Sequence, residues 1–336
     1  MERVNLQEGW RFAKANSNEW TPVSVPGTVL SGLLEAGKMQ DPYYRENEYE
    51  ARELLAKDYV FETDFCISEE QLNKKHCVLV CEGLDTLAYV YVNEKLVGKA
   101  DNMHRTWRFD CKDALQKENH LRIYFHSALT YIREYEATPG KEITYEPTGG
   151  ILGNQYIRKA HSMFGWDWGP QLIDAGIFRD IYLEAYSGAK LDDVHIRQEH
   201  EAERVWLDVQ TKLDGAAEDG ARIRVSVEGE INTEIPADGD GRTRLLLEHP
   251  KKWWPNGYGE QNLYTVTVEL LAEDGSVRDV VKKRIGIRTL TISQEKDRWG
   301  QEFAFIVNGV KIFTKGGNYI PEDCCYTRIT KERQEY

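Results

Sequence analysis

The sequence predicts an all-β chain. Three observations carry this: runs of alternating apolar and polar residues recur along most of its length, turn-forming residues separate them, and one early stretch alone has the apolar spacing of a helix. Strands at this density, without strand–helix–strand alternation, must pack sheet on sheet. The first part therefore reads as a β-sandwich of jelly-roll type, and the later part as a smaller, immunoglobulin-like sandwich.

The elements follow in order. Val25-Pro26-Gly27-Thr28 leads into residues 29–37, whose apolar positions suit one short helix closed by Gly37. Asp41-Pro42-Tyr43-Tyr44-Arg45-Glu46-Asn47-Glu48 is a turn-rich polar and aromatic loop. Tyr59, Phe61, Thr63 and Phe65 then alternate with Val60, Glu62 and Asp64, the period of a half-buried strand. Similar runs recur at 78–81, 88–92, 121–125 and 180–185, and Asn93-Glu94 turns one strand back onto residues 95–99. A boundary falls near residues 188–191, after which strands are expected at 205–209, 223–227, 243–248 and 264–270. The turns between them are rich in glycine and aspartate. The one at 237–241 reads as an exposed turn, since a calcium loop needs more carboxylates at alternating positions and a closing Glu. Residues 303–314 form a hairpin around Asn308-Gly309, and 315–323 leave it through glycines and polar groups. The expected domains are 1–187, 188–290 and a third segment, 291–336.

A net charge of −13, from 43 basic and 56 acidic side chains, excludes surfaces built for nucleic acid or anionic membranes. A neutral ligand is the expectation. No run approaches 18 apolar residues, and the first ten residues lack the basic start and apolar core of a signal peptide, so a cytoplasmic protein, or one from which a signal has been removed, is expected. Cys66, Cys77, Cys81, Cys111, Cys324 and Cys325 have no zinc-type spacing with histidines and read as free buried thiols in a reducing compartment.

The candidate site is His161-Ser162-Met163-Phe164-Gly165-Trp166-Asp167-Trp168-Gly169-Pro170, where two indoles flank one carboxylate between glycine and proline. Aromatic faces pack on the apolar side of a pyranose and a carboxylate accepts hydrogen bonds from ring hydroxyls, so the stretch suits one wall of a sugar site. The same residues also suit a sandwich core, with Asp167 capping a turn through an Asx bond. His161 suits a hydrogen-bonded structural histidine, and otherwise a group that orients Asp167 or meets a sugar hydroxyl. Trp253 and Trp254 offer a second aromatic pair that could be mistaken for a sugar platform.

Together these motifs resemble the N-terminal part of the β-mannosidases of glycoside hydrolase family 2, over essentially the whole chain. The likeness is carried by Val25–Thr28 with Asp41–Glu48, the hairpin from Ala88 to Gly98, Arg158–Pro170, Trp254-Pro255-Asn256-Gly257-Tyr258-Gly259, Arg284–Arg288 and Asn308–Pro321. The Asn-Gly and Trp-Pro-Asn-Gly pieces are general to the wider family of β-galactosidases and β-glucuronidases, whereas residues 164–170 point to the mannosidase branch. The resemblance implies a jelly-roll sugar-binding domain, an immunoglobulin-like sandwich and then a (β/α)8 barrel, so that 291–336 would hold the first strand of a truncated barrel. It implies further that Trp166 and Asp167 contact the mannose and that Asn318 lies where that strand opens into the active site. Trp168 and His161 complete the candidate set. The place of Trp253 and Trp254 in the family pattern implies packing between the second sandwich and its neighbour rather than ligand binding, and Arg284 and Arg288 suggest an ion pair between domains.

Retaining hydrolysis needs two carboxyl groups about 5–5.5 Å apart, which the resembled family carries late in its barrel. A barrel takes roughly 250 residues, and 21 follow Lys315. The expectation is thus the N-terminal portion of a retaining exo-β-mannosidase acting on terminal β-D-mannose, inactive by itself, with no catalytic residue, metal or cofactor in these 336 residues. Its partners would be a β-mannoside oligosaccharide or glycoside and its own missing barrel domain. The alternatives are a stand-alone carbohydrate-binding module and a β-galactosidase or β-glucuronidase relative. Glu322 and Asp323 are expected to be polar loop residues, and the pair Cys324-Cys325 has no reading from sequence.

Overall fold

A computed structural model describes residues 2–141, 149–229 and 231–336. It divides into two compact units: Glu2–Tyr186 together with Tyr319–Tyr336, and Ser187–Asn318. Residues 291–336, set apart as a third segment in the sequence, are shared between the two.

In the first unit, Glu2–Asn5, Ile181–Tyr186, His76–Cys81 and Trp107–Asp110 form a four-stranded antiparallel sheet in that order. Thr21–Pro22, Arg11–Lys14, Tyr59–Cys66, Glu118–His126, Leu87–Val92 and Lys95–Ala100 form a six-stranded one. The two-residue period dictates the layering. Leu121, Ile123 and Phe125 are buried while Arg122, Tyr124 and His126, on the other face of the same strand, are only half-buried. Phe61 stacks on Phe12 at 5.4 Å and meets Phe125 edge-on at 5.4 Å, and Leu79, Cys81 and Leu183 from the four-stranded sheet join the same core. Asn93 and Glu94 both take positive φ, 49° and 64°, as a two-residue hairpin with the twist of its strands requires.

The early helix is Val29–Glu35. Thr28 caps it: its Oγ1 accepts the Ser31 N–H at 3.2 Å, while the Ser31 hydroxyl accepts the Thr28 N–H at 2.9 Å. Thr28→Ala should cost the unit about 1 kcal/mol, with Thr28→Ser retaining most of it. Urea denaturation checks this, and equal losses in the two variants would show that the cap contributes nothing. Two further helices, Asn47–Leu55 and Ala128–Glu136, were not foreseen in a chain read as strand beyond residue 48. The second is capped by Ser127, whose Oγ accepts the Thr130 N–H at 3.3 Å.

Asp323 corrects the sequence reading. It is buried rather than a polar loop residue, because Arg328 and Arg333 reach its Oδ2 at 2.7 and 3.0 Å and the Tyr43 hydroxyl donates to its Oδ1 at 3.1 Å. Burial alone would raise its pKa, but the Cys325 N–H and the two guanidinium groups outweigh it and hold the carboxyl below the usual range. Cys324 and Cys325 are buried beside it, and burial pushes the Cys325 thiol up to about 11, so the pair is structural rather than nucleophilic. Cys77, Cys81 and Cys111 are buried as well, whereas Cys66 is exposed.

The second unit is the smaller sandwich. Lys190–Glu201, Arg204–Asp214 and Arg242–Glu248 form one sheet; Ile231–Pro236, Arg222–Val227, Tyr264–Leu271 and Val277–Ile285 form the other. Leu207, Val209, Val225, Leu245 and Val268 fill the core between them. Trp253 and Trp254 each pack against a glycine of the same unit: a Cβ at Gly286 would come within 2.8 Å of Trp253, and one at Gly259 within 2.8 Å of Trp254. Arg288 lies 4.9 Å over the Trp253 ring in a cation–π contact. Leu290–Ser293, Ala304–Val307 and Val310–Ile312 make a separate antiparallel sheet turning at Asn308-Gly309, where φ is 49° and 81°. Residues 313–325, where a barrel strand would run, form no strand; among the described residues they have no parallel neighbour to pair with.

Candidate functional site

The Trp166 loop belongs to the first unit and is fixed by its flanks. Phe164 is fully buried against Ile157, Ile173, Ala128 and Ile132, so the unforeseen helix Ala128–Glu136 is its support. The Ile151 N–H donates to the Phe164 carbonyl at 3.0 Å. Gly165 has φ +85°, and a Cβ there would come within 2.5 Å of Gln171 Cγ. Gln171 in turn donates through Nε2 to the Gly149 carbonyl at 3.0 Å and through its backbone N–H to Glu48 Oε1 at 2.8 Å.

On this mounting Trp166 and Gly169 exchange N–H···O bonds at 3.4 Å in both directions, a two-residue hairpin with Asp167 and Trp168 at its apex. Trp166 is half-buried, Trp168 is 48% exposed and Asp167 is exposed. Among the described residues the Asp167 carboxylate has no hydrogen-bond or ion-pair partner, so the Asx cap that would make it a plain turn residue is not formed. An unengaged carboxylate between two indoles can accept hydroxyl hydrogen bonds while the rings cover an apolar face.

His161 opens the short 3-10 turn His161–Phe164 and is exposed, its ring edge-on to Phe164 at 6.4 Å. It makes neither the structural hydrogen bond expected of it nor a contact with Asp167 among the described residues. Trp166, Asp167, Trp168 and His161 thus share one loop, whereas Asn318 belongs to the second unit, where it is exposed and outside any strand.

Sequence reasoning missed what lies at the foot of the loop. Lys159 is buried, and its ammonium donates to Asp85 Oδ2 at 2.5 Å and to the Asp174 carbonyl at 2.7 Å. The Thr86 hydroxyl donates to the other Asp85 oxygen. Asp174 Oδ1 accepts the N–H groups of Leu30 and Ala175 at 2.9 and 2.8 Å, while Oδ2 is buried without a partner. Burial pushes the Asp174 carboxyl up to about 6. A signal existed: Asp174 is a single charge inside the otherwise apolar run Leu172–Ile177.

Known proteins match both units. A family model described as Glycosyl hydrolase 2 galactose-binding domain-like covers residues 10–179, and one described as Glycosyl hydrolases family 2 covers 189–288. The first unit is accordingly a galactose-binding-type sandwich carrying an aromatic and acidic loop, joined to an immunoglobulin-like one. The chain belongs to glycosyl hydrolase family 2. It is 34% identical to beta-mannosidase B of Emericella nidulans and 30% identical to beta-mannosidase of Mus musculus, in each case over 98% of this chain and 40% of the relative. The crystal structure of the beta-D-mannosidase from Dictyoglomus thermophilum superposes with a TM-score of 0.90 at 32% identity, over 100% of this chain and 42% of that one. The chain spans about 40% of the length of the curated relatives it matches.

Proposed function

We propose that these residues are the N-terminal portion of a retaining exo-β-mannosidase that removes terminal β-D-mannose from β-mannosides. The observation that carries this reading is the unengaged Asp167 carboxylate, flanked in sequence by Trp166 and Trp168 on a hydrogen-bonded hairpin, in a chain similar to beta-mannosidases over nearly its whole length. In this reading the indoles cover the apolar face of the sugar, and Asp167 accepts hydrogen bonds from two of its hydroxyls. Binding of that kind strengthens as the ring distorts toward the oxocarbenium-like transition state, so the loop contributes to rate as well as affinity. The carboxyl pair that breaks the glycosidic bond belongs to the part of the protein outside these residues. The six unbridged cysteines support a cytoplasmic location for it.

The test is hydrolysis of 4-nitrophenyl β-D-mannoside by the full-length protein. Asp167→Ala and Trp166→Ala should each lower kcat/KM by about tenfold to a hundredfold, with thermal stability unchanged. Unchanged kcat/KM in both variants, or preferential turnover of the β-galactoside or β-glucuronide, overturns the assignment. The 336-residue chain should release no nitrophenol. Sub-millimolar mannose binding by that chain, abolished by Trp166→Ala, would instead identify a stand-alone binding module.

A further inference from the structure

The outer face of the six-stranded sheet carries an open groove of about 900 Å3, lined by no residue of the Trp166 loop. Its floor is aromatic. Tyr89 and Tyr91 lie two positions apart on Leu87–Val92 and so share one face, and Tyr124 on the adjacent strand pairs directly with Tyr89, the two rings meeting edge-to-face at 6.0 Å. Trp107 lines it too, as do Tyr131 and Glu134, which lie one helical turn apart on Ala128–Glu136.

The polar groups there divide into two sets. Tyr124 is fixed, its hydroxyl donating to the Asp58 carboxylate, and His126 is bracketed by Asp58 at 3.3 Å and Glu134 at 3.5 Å. By contrast, the hydroxyls of Tyr89, Tyr91 and Tyr131, the Lys99 ammonium and the Asp101 carboxylate have no hydrogen-bond partner among the described residues, although all five line the groove or its strand. The Lys99 ammonium lies 4.9 Å from the centre of the Tyr89 ring, a contact that an exposed lysine gives up readily.

Arg122 likewise lies over Tyr91 at 5.8 Å and Arg105 over Trp107 at 4.4 Å, so a ligand would take the place of these cations on the rings; half-buried rings with unengaged hydroxyls suit one that is apolar on its faces and rich in hydroxyls at its edges. Lys99 and Asp101 carry opposite charges, the Glu134 carboxylate is already engaged by His126, and a protein of net charge −13 repels polyanions, which favours an uncharged ligand. We propose that this groove is a second, non-catalytic saccharide site that binds a neutral β-mannan oligosaccharide. The choice of mannan rests on the mannosidase reading above; the choice of a neutral saccharide rests on the groove.

The probe is thio-linked β-1,4-mannohexaose, which is not hydrolysed, titrated calorimetrically into the full-length protein. Tyr89→Ala and Tyr91→Ala should each weaken its binding by about tenfold, with kcat/KM on 4-nitrophenyl β-D-mannoside unchanged. Tyr89→Phe, which keeps the ring and the fold, should fall between. The hexaose should also protect Tyr89, Tyr91 and Tyr131 from nitration by tetranitromethane. No hexaose binding, or equal affinity in the wild type and both alanine variants, overturns the proposal. So does resistance of all three tyrosines to nitration in the free protein, which would show that another part of the polypeptide covers the groove. The two readings fail separately: absent aryl-mannoside turnover removes the enzymatic assignment, whereas an unaltered hexaose affinity in the variants removes the groove.

Discussion

Lys159→Met is expected to destabilise the first unit by about 3–5 kcal/mol, the largest loss among single changes at the site. The cost does not come from a missing contact alone. Lys159 and Asp85 are both buried, and removing the ammonium strands a carboxylate that keeps only the Thr86 hydroxyl, while the Asp174 carbonyl also loses its donor. Adding Asp85→Asn should return a substantial part of the loss, because the neutral amide carries no charge to strand. Urea denaturation of the two single variants and the double variant measures the coupling. Additive losses would mean that the pair does not act as a unit, and a single-variant loss below about 1 kcal/mol would place it among ordinary surface bridges.

Asp174→Asn is expected to stabilise the protein at neutral pH and to lose that advantage in acid. The carboxyl is raised by burial from 3.8 to about 6, so between those values the folded state holds a proton that the unfolded state has released. Stability of the wild type therefore falls as pH rises through this window and levels off above it. Two pH units correspond to about 3 kcal/mol. Asparagine keeps an Oδ1 acceptor for the Leu30 and Ala175 N–H groups and leaves the Lys159 bond, which is made to the Asp174 carbonyl, in place. Unfolding free energies of both proteins across pH 4–8 should converge at the acid end and diverge toward neutrality. Parallel profiles would show that Asp174 does not titrate in this window.

Local pattern carried the fold where local pattern determines it. Residues 121–125 alternate because one face is buried, whereas 59–63, expected to be half-buried, are buried on both faces and only 64–66 reach solvent; Asn93-Glu94 and Asn308-Gly309 take the positive φ values that short hairpins need. The helices Asn47–Leu55 and Ala128–Glu136 escaped because their apolar stripes are narrow: only Ala51 and Leu55 in one, and Ala128 and Ile132 in the other, are buried. Val277–Ile285 escaped for the opposite reason. It is an edge strand, and its Lys282 and Lys283 keep another chain from pairing there while hiding the period. In the candidate site the indoles and the carboxylate were legible because composition names them. The buried Lys159–Asp85 pair, and Glu48 beneath Gln171, depend on residues 74 and 123 positions apart, which no local window joins.

The apex and the mounting of the Trp166 hairpin are made by different residues. Gly165, Gln171, Gly149 and Glu48 set its place and angle, while Asp167 and Trp168 alone occupy the two-residue tip. The tip is therefore an interchangeable cartridge: a two-residue substitution there changes the side chains the hairpin presents to solvent without disturbing the hydrogen bonds that hold the loop. Tip chemistry and stability become separate design variables at this position, and a lineage or an engineer can change one while leaving the other fixed.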